Sequence, residues 1–252
     1  MGTDHDIVDL LWQVHNDPAG GHETELASYD EISLQQGQQY QLALLQRWLD
    51  QGEQLGGWKI GMTSGANRNS MGAGIRPFGF ILASRIKTAA DTLSVSALHR
   101  GQVENELCFR IGSEIGAGAT AASAFAAVEA AIPAFEINQK RLPPGASAGL
   151  RVADDLSNWG IVIGAAVAAP EDLQDLTVTL SGSEGVIEKV ASASHIDDHY
   201  DSLAILANTL ADYGHSLLPG QYVITGAYGK TAFAPGTYQG HFDQGIGDVT
   251  VQ

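Results

Sequence analysis

In the stretch "GQVENELCFRIG", residues 101–112, two carboxylates stand two positions apart inside an apolar run. Residues i and i+2 of a β-strand point to one face. Glu104, Glu106 and Cys108 would therefore share one side, while Leu107, Phe109 and Ile111 pack on the other. Alternate side chains start roughly 7 Å apart, close enough for both carboxylates to converge on one cation. Hard divalent ions take oxygen ligands of this kind. Without a cation the pair would repel and one member would tend to protonate. A solvated strand face is the plain alternative for an isolated Glu-x-Glu. Glu136, between Phe135 and Ile137 in "PAFEIN", alternates out of a second apolar strand, and Asp154 and Asp155 open "ADDLSNWGIVIG" before a third. Carboxylates on separate strands or strand ends match an oxygen-rich metal site, but spacing alone leaves the solvated reading open.

Other reactive side chains are weaker signals. Lys59 in "GGWKIGM" lies between Trp58 and Ile60, so it either alternates inward toward the carboxylates or snorkels from a strand end. Arg141 would bind a distal substrate carboxylate or pair with acidic neighbours. His195 and His199 in "HIDDH" have the i, i+4 spacing of zinc ligands but lack the Glu of H-E-x-x-H. They are better placed in a loop or helix start, with Asp198 or Asp201 as the cap. Cys108 has no thiol-activating motif and suits a small core position. "GAGIRPFG" and "GSEIGAGATA" match neither a P-loop nor a dinucleotide fingerprint.

The elements that must hold these groups follow from periodicity. Ile7, Val8, Leu11 and Val14 recur at helical spacing, as do Tyr40, Leu44, Leu45, Trp48 and Leu49 before Gly52. "NDPAGGHETELASYDE" between them is expected as a polar loop. After Gly57 the pattern turns to short strands, among them "WKIGM", "LCFRIG", "AFEIN", "GIVIGAAV" and "QYVITG". "TVTLSGSEGVIEKV" has the form of a β-hairpin. Two helices are expected among the strands, an Ala-rich one over 119–131 ended by Pro133 and one over about 201–213 ended by Gly214. The whole is an α+β chain, with an N-terminal helical segment (1–56) and a β-rich body (57–252).

The totals bound the function. The chain has 252 residues, 44% of them hydrophobic, and a formal charge of −16 with 13 scattered basic residues. Nucleic-acid binding, which needs clustered Lys and Arg, is not expected; "QKR" at 139–141 is the densest basic group. No membrane span, no signal peptide and a single cysteine point to a reduced, cytoplasmic protein. An acidic surface still accommodates a small anion where a metal or a few placed cations reverse the local sign.

Six ordered segments carry a resemblance that spans residue 38 to the C-terminus: "GGWKIGMTS", "VENELCF", "IPAFEI", "VADDLSNWGIVIG", "YVITGAYG" and "GHFDQGIGDVTV". They resemble the fumarylacetoacetate hydrolase superfamily, in the 2-keto-4-pentenoate hydratase and 4-oxalocrotonate decarboxylase branch. The resemblance implies a mixed β-sandwich roll and a homo-oligomer. It implies that Glu104, Glu106 and Glu136 bind Mg²⁺ or Mn²⁺, with Lys59 as acid/base or electrostatic partner. The substrate would be a small 2-oxo or 2-hydroxydienoic acid of aromatic catabolism, handled through a metal-stabilised enolate. Arg141, Asp154, Ser157 and Thr225 are the candidate substrate contacts. The leading expectation is a hydratase-like lyase, followed by an oxalocrotonate-type decarboxylase or acylpyruvate hydrolase, then a non-catalytic acid-binding member. Three departures from the pattern stand out. Pro77 replaces an acidic residue, "ADD" replaces "ADN", and "DHY" (198–200) replaces "GHP".

Overall fold

The computed structural model describes residues 4–252. Helices α1 (Asp4–Asn16) and α3 (Leu34–Asp50) occupy the two expected apolar stripes, and Ile7, Leu11 and Val14 pack with Leu44, Leu45 and Trp48. Ser33 opens α3 with a capping box closed by Gln36. Gly52, at φ +92°, lies just past its end, where only glycine turns left-handed without cost. The segment between them is not wholly loop. It contains a short helix, α2 (Glu23–Ala27), held by the buried Leu26.

The body holds strands β1 (Leu55–Ile60), β2 (Phe78–Leu82), β3 (Ile86–Thr88), β4 (Gly101–Ile111), β5 (Val128–Gln139), β6 (Asn158–Ile163) and β9 (Tyr222–Ala232). They form one mixed sheet in the order β2-β1-β9-β4-β5-β6-β3. The remaining strands, β7 (Thr177–Gly182), β8 (Gly185–Ala191), β10 (Tyr238–Phe242) and β11 (Gly247–Val251), make a four-stranded antiparallel sheet, with β7 and β8 as the expected hairpin. The larger sheet rolls until β2 meets β6, where the Asn158 side-chain amide donates to the Phe80 carbonyl at 2.7 Å. Its outer face carries the main core. Its inner face carries a small apolar cluster that includes Ile81, Cys108, Ile132, Ala134, Ile161 and Ile224.

The Ala-rich helix is shorter than expected. Helix α4 spans only Ala121–Ala127, and the chain then runs straight into β5, which contains Pro133. Alanine is the best helix former, but propensity is a weak prior, and pairing of residues 128–131 with β4 overrides it. The proline is tolerated because pairing with β6 begins at Ala134, so its missing N–H falls where that ladder ends. Two further helices, α5 (Ala148–Ala153) and α6 (His199–Ala211), complete the chain, and Asp198 caps α6 through the Tyr200 and Asp201 amides. No described helix is long and apolar enough to cross a membrane.

Candidate active site

The rolled sheet grades its inner face from apolar to carboxylate to cationic. Deepest lie Cys108, Ile132 and Ile224. Two residues toward the open end on β4 comes Glu106, and two further on comes Glu104. Glu104 stands directly across from Glu136 of β5 on one side and from Lys230 of β9 on the other. Cross-strand partners share a face, so antiparallel register delivers all three glutamates to one cavity of about 330 Å³. One oxygen from each of Glu104, Glu106 and Glu136 lies within 4.8 Å of the others.

Their electrostatics match the geometry. Burial pushes Glu104 and Glu106 above the usual carboxylate range, and the Glu136 charge pushes them further. Lys59 reaches the cavity from β1, and its ammonium contacts Glu136 Oε1. Burial opposes that charge, but Glu136 and Glu106 outweigh it and raise the lysine's pKa. Gly79 makes room for it, since a Cβ there would lie 2.8 Å from Lys59 Cγ and 2.7 Å from Asp155 Oδ1.

Glu106 is positioned by an irregularity in β9. The strand bulges opposite it, and the Gly226 amide donates to Glu106 Oε2 at 2.7 Å. Gly226 is obligatory here: its φ is +128°, and a Cβ would lie 2.1 Å from Thr63 Oγ1. Behind the bulge runs a directed hydrogen-bond chain. Thr225 donates to the Leu107 carbonyl and so accepts from His199 Nδ1, which leaves His199 Nε2 to accept from the Tyr228 hydroxyl. Burial lowers the His199 pKa to about 4, consistent with a neutral ring. Thr225 is thus fully buried behind the wall and does not line the cavity.

The remaining expected contacts divide. Ser157 lines the cavity, and its hydroxyl has no partner among the described residues. It sits in a turn where Asp155, Leu156 and Ser157 all have positive φ, at 56°, 52° and 68°. Left-handed non-glycine residues cost roughly 1–2 kcal/mol each and cluster at functional sites. The turn lets Asp155 accept from the Phe80 amide while Leu156 and Ser157 face the cavity. Burial pushes Asp155 well above the carboxylate range, so its second "ADD" carboxyl adds less negative charge than its formula implies.

Arg141 and Asp154 are not in the cavity. Arg141 Nε donates to Asp154 Oδ1 at 2.7 Å, and its Nη2 donates to the Asp154 and Asn158 carbonyls. Both residues are sealed, at 1% and 0% exposure, so the arginine takes the acidic-neighbour reading rather than the substrate one. Pro77 lies behind Gly61, accepting from its amide, outside the cavity wall. His195 and His199 do not share a helix face. His195 lines the cavity, stacked on Tyr228, while His199 begins α6. Cys108 is buried with its thiol pushed up, consistent with a core role. Lys140, Arg151 and Lys230 also line the cavity. The first was legible, because the alternation of Glu136 continues through Asn138 to Lys140. Arg151 and Lys230 had no comparable signal.

No family model matches the chain. Among curated proteins, it is 26% identical over 210 residues to a 4-oxalocrotonate decarboxylase of Pseudomonas sp, covering 81% of this chain and 80% of that one. It is 29% identical over 189 residues to a 2-hydroxypent-2,4-dienoate hydratase of Pseudomonas putida, covering 73% and 85%. Among solved structures, the 4-oxalocrotonate decarboxylase from Pseudomonas putida G7, complexed with magnesium and adipate, superposes with a TM-score of 0.89. That match is 23% identical and covers 100% of this chain and 98% of the other.

Proposed function

The chain belongs to the fumarylacetoacetate hydrolase superfamily, in its 2-keto-4-pentenoate hydratase and 4-oxalocrotonate decarboxylase branch, and from that premise we propose that it is a divalent-metal-dependent lyase. Its substrate is a small 2-oxo or 2-hydroxydienoic acid, and its reaction is hydratase-like. The observation that carries the reading is the convergence of Glu104, Glu106 and Glu136 on one cavity beside Lys59. Three hard oxygen donors with a single ammonium partner fit Mg²⁺ or Mn²⁺, and burial, with the Glu136 charge behind it, raises Glu104 and Glu106, a cost to their ionised forms that such an ion would offset. When bound, the ion supplies electrophilic polarisation of the 2-oxo acid and stabilises enolate charge.

The side chains divide the remaining work. Glu104, Glu106 and Glu136 hold the ion, and the Gly226 amide fixes the second oxygen of Glu106. Lys59 keeps its proton, since its pKa is raised, and so acts as proton donor and as a positive charge toward an anionic substrate. Ser157 offers a hydroxyl to the substrate from the strained turn. Leu156 narrows the mouth against Gly61, where a Cβ would lie 2.9 Å from Leu156 Cδ1.

The test is turnover of 2-hydroxypenta-2,4-dienoate and 4-oxalocrotonate with Mg²⁺ and with EDTA, beside Glu106→Ala. Turnover of either is expected with metal and lost in EDTA, and the variant should lose at least about a hundredfold. Activity that survives metal removal would sink the metal mechanism. Silence on both substrates would favour a non-catalytic acid-binding protein.

A further inference from the structure

Adding water to an unsaturated 2-oxo acid calls for a base as well as an acid. The groups placed so far supply no base. Lys59 keeps its proton. Glu104, Glu106 and Glu136 turn their lone pairs to the metal position. Glu188 accepts from the Lys230 amide, outward of Glu106. The Tyr228 hydroxyl donates to His199 and accepts from Ser192, both at 2.7 Å. Lys230 stands across from Glu104, and a guanidinium such as Arg151 has no lone pair to offer. Burial lowers the Lys140 pKa, but Glu104 and Glu136 oppose that, and the residue lies outward of both, past the end of β5. Among the titratable side chains that line the cavity, His195 is left.

One hydrogen bond fixes which nitrogen of His195 is basic. Its Nε2 lies 3.3 Å from the Ala227 carbonyl, and a carbonyl only accepts, so Nε2 carries the proton and Nδ1 the lone pair. Nδ1 has no partner among the described residues. Ala227 stands across from Glu106 in the pairing of β9 with β4, which sets the ring at the level of that carboxylate. The bulge that turns the Gly226 amide onto Glu106 thus offers the next carbonyl to His195. The backbone around the ring is held on both sides. The Gly65 amide donates to the His195 carbonyl and the Asp197 amide to the Thr63 carbonyl, each at 2.9 Å, and Arg76 Nε donates to Asp197 at 2.6 Å. Tyr228 stacks on the ring at an interplanar angle of 16°.

We propose that His195 is the catalytic base of hydration, taking a proton through Nδ1 from the water that adds to the substrate. The inference rests on the metal-dependent hydratase reading above and names a further residue for it. In the 2-oxo-3-ene form of the substrate, the water oxygen bonds to C4 as one of its protons passes to Nδ1. The C3=C4 π pair moves to C3, which takes a proton from the Lys59 ammonium. Solvent then carries the extra proton of the imidazolium back to the Lys59 amine, and the net change is one water added.

The experiment is steady-state hydration of 2-hydroxypenta-2,4-dienoate in Mg²⁺ by the wild type, His195→Gln and His195→Ala, with calorimetric Mg²⁺ binding beside it. Glutamine keeps an N–H for the Ala227 carbonyl and has no basic lone pair. His195→Gln should lose at least about a hundredfold in kcat, the scale of one general base, with KM and Mg²⁺ affinity within about threefold. His195→Ala should be as slow and regain at least about tenfold in added imidazole, a recovery that a merely structural ring would not show. A glutamine variant within about threefold of the wild-type kcat, or an alanine variant that imidazole leaves unchanged, would overturn the base and leave the metal reading standing. A wild type silent on the dienoate in Mg²⁺ would overturn the hydratase reading and the base with it.

Discussion

Two buried charge clusters meet near the end of β5, where Glu136 belongs to one and Arg141, just past the strand, to the other, and they are built on opposite principles. The cavity cluster joins Lys59 to Glu104, Glu106 and Glu136, one cation against three carboxylates. The sealed cluster joins Arg141 to Asp154, with His15 Nε2 3.2 Å from the same carboxylate oxygen. Arg141 spends its donors on Asp154, Asn158 and Gln139, so the cluster is balanced without any ligand. The cavity cluster sets three carboxylates against one contacting ammonium, a local imbalance that a divalent ion would offset. Burial alone therefore does not mark a binding site; an unbalanced charge facing a cavity does.

The largest expected effect separates the two by stability. Arg141→Met leaves Asp154 buried without its partner and should cost about 3–5 kcal/mol. Glu106→Gln should do the reverse to the metal-free protein, holding or raising its stability because one of three crowded charges is gone, while the Gly226 hydrogen bond survives on the amide oxygen. Denaturant unfolding in EDTA reads both, and a Mg²⁺ titration should show binding lost only in Glu106→Gln. Equal destabilisation by the two variants would erase the distinction.

The clusters should also answer pH in opposite directions. Burial, helped by Arg141, lowers the His15 pKa to about 4, so the unfolded chain binds its proton first as pH falls below 6.5. Stability from this group is full near neutrality and is lost between pH 6.5 and about 4, by roughly 3 kcal/mol. His199, also lowered to about 4, adds a loss of the same sign. Glu104 and Glu106 are raised, so the folded state holds their protons longer than the unfolded chain does. Their contribution is neutral below the ordinary carboxylate range and becomes destabilising as pH rises through the shifted values. An ion that binds the ionised form removes that penalty. Melting temperatures with Mg²⁺ and with EDTA should therefore diverge as pH rises and converge toward pH 4. A constant gap would contradict the charge deficit.

How much of this was legible depended on whether alternation or long-range pairing set the position. Alternation put Glu104, Glu106 and Glu136 on one face of their strands but left a solvated face open, and the family resemblance decided for the cavity; the α+β arrangement followed from the change of period at Gly57. Lys59 alternated likewise, with snorkelling from a strand end left open until the resemblance decided. The sealed pair did not, because the side of the wall on which Arg141 and Asp154 fall is decided by α1 and α3 packing over them, far away in sequence. Thr225 was a substrate candidate through the resemblance alone; on β9 it follows the inward Ile224, so its hydroxyl turns behind the wall to Leu107 and His199. The end of α4 was lost because alanine-rich sequence says helix while strand pairing, invisible locally, says sheet.

The smallest effect lies at the seam between the clusters. Asp154 belongs to the sealed side, Ser157 to the cavity, and the left-handed backbone of Asp155, Leu156 and Ser157 makes the crossing. Glycine adopts φ +68° without the Cβ clash, so Ser157→Gly relieves roughly 1–2 kcal/mol of strain. It also frees the unfolded chain, which costs about 0.4–1 kcal/mol. The net gain should be near half a kcal/mol, readable as a shift of a degree or two in melting temperature. Ser157→Ala keeps the strain and removes only the hydroxyl. If the serine touches substrate, both variants should raise KM alike, while only glycine gains stability. If its role is confined to the turn, Ser157→Ala should leave KM unchanged, and the crossing would be a structural seam that borders the site without serving it.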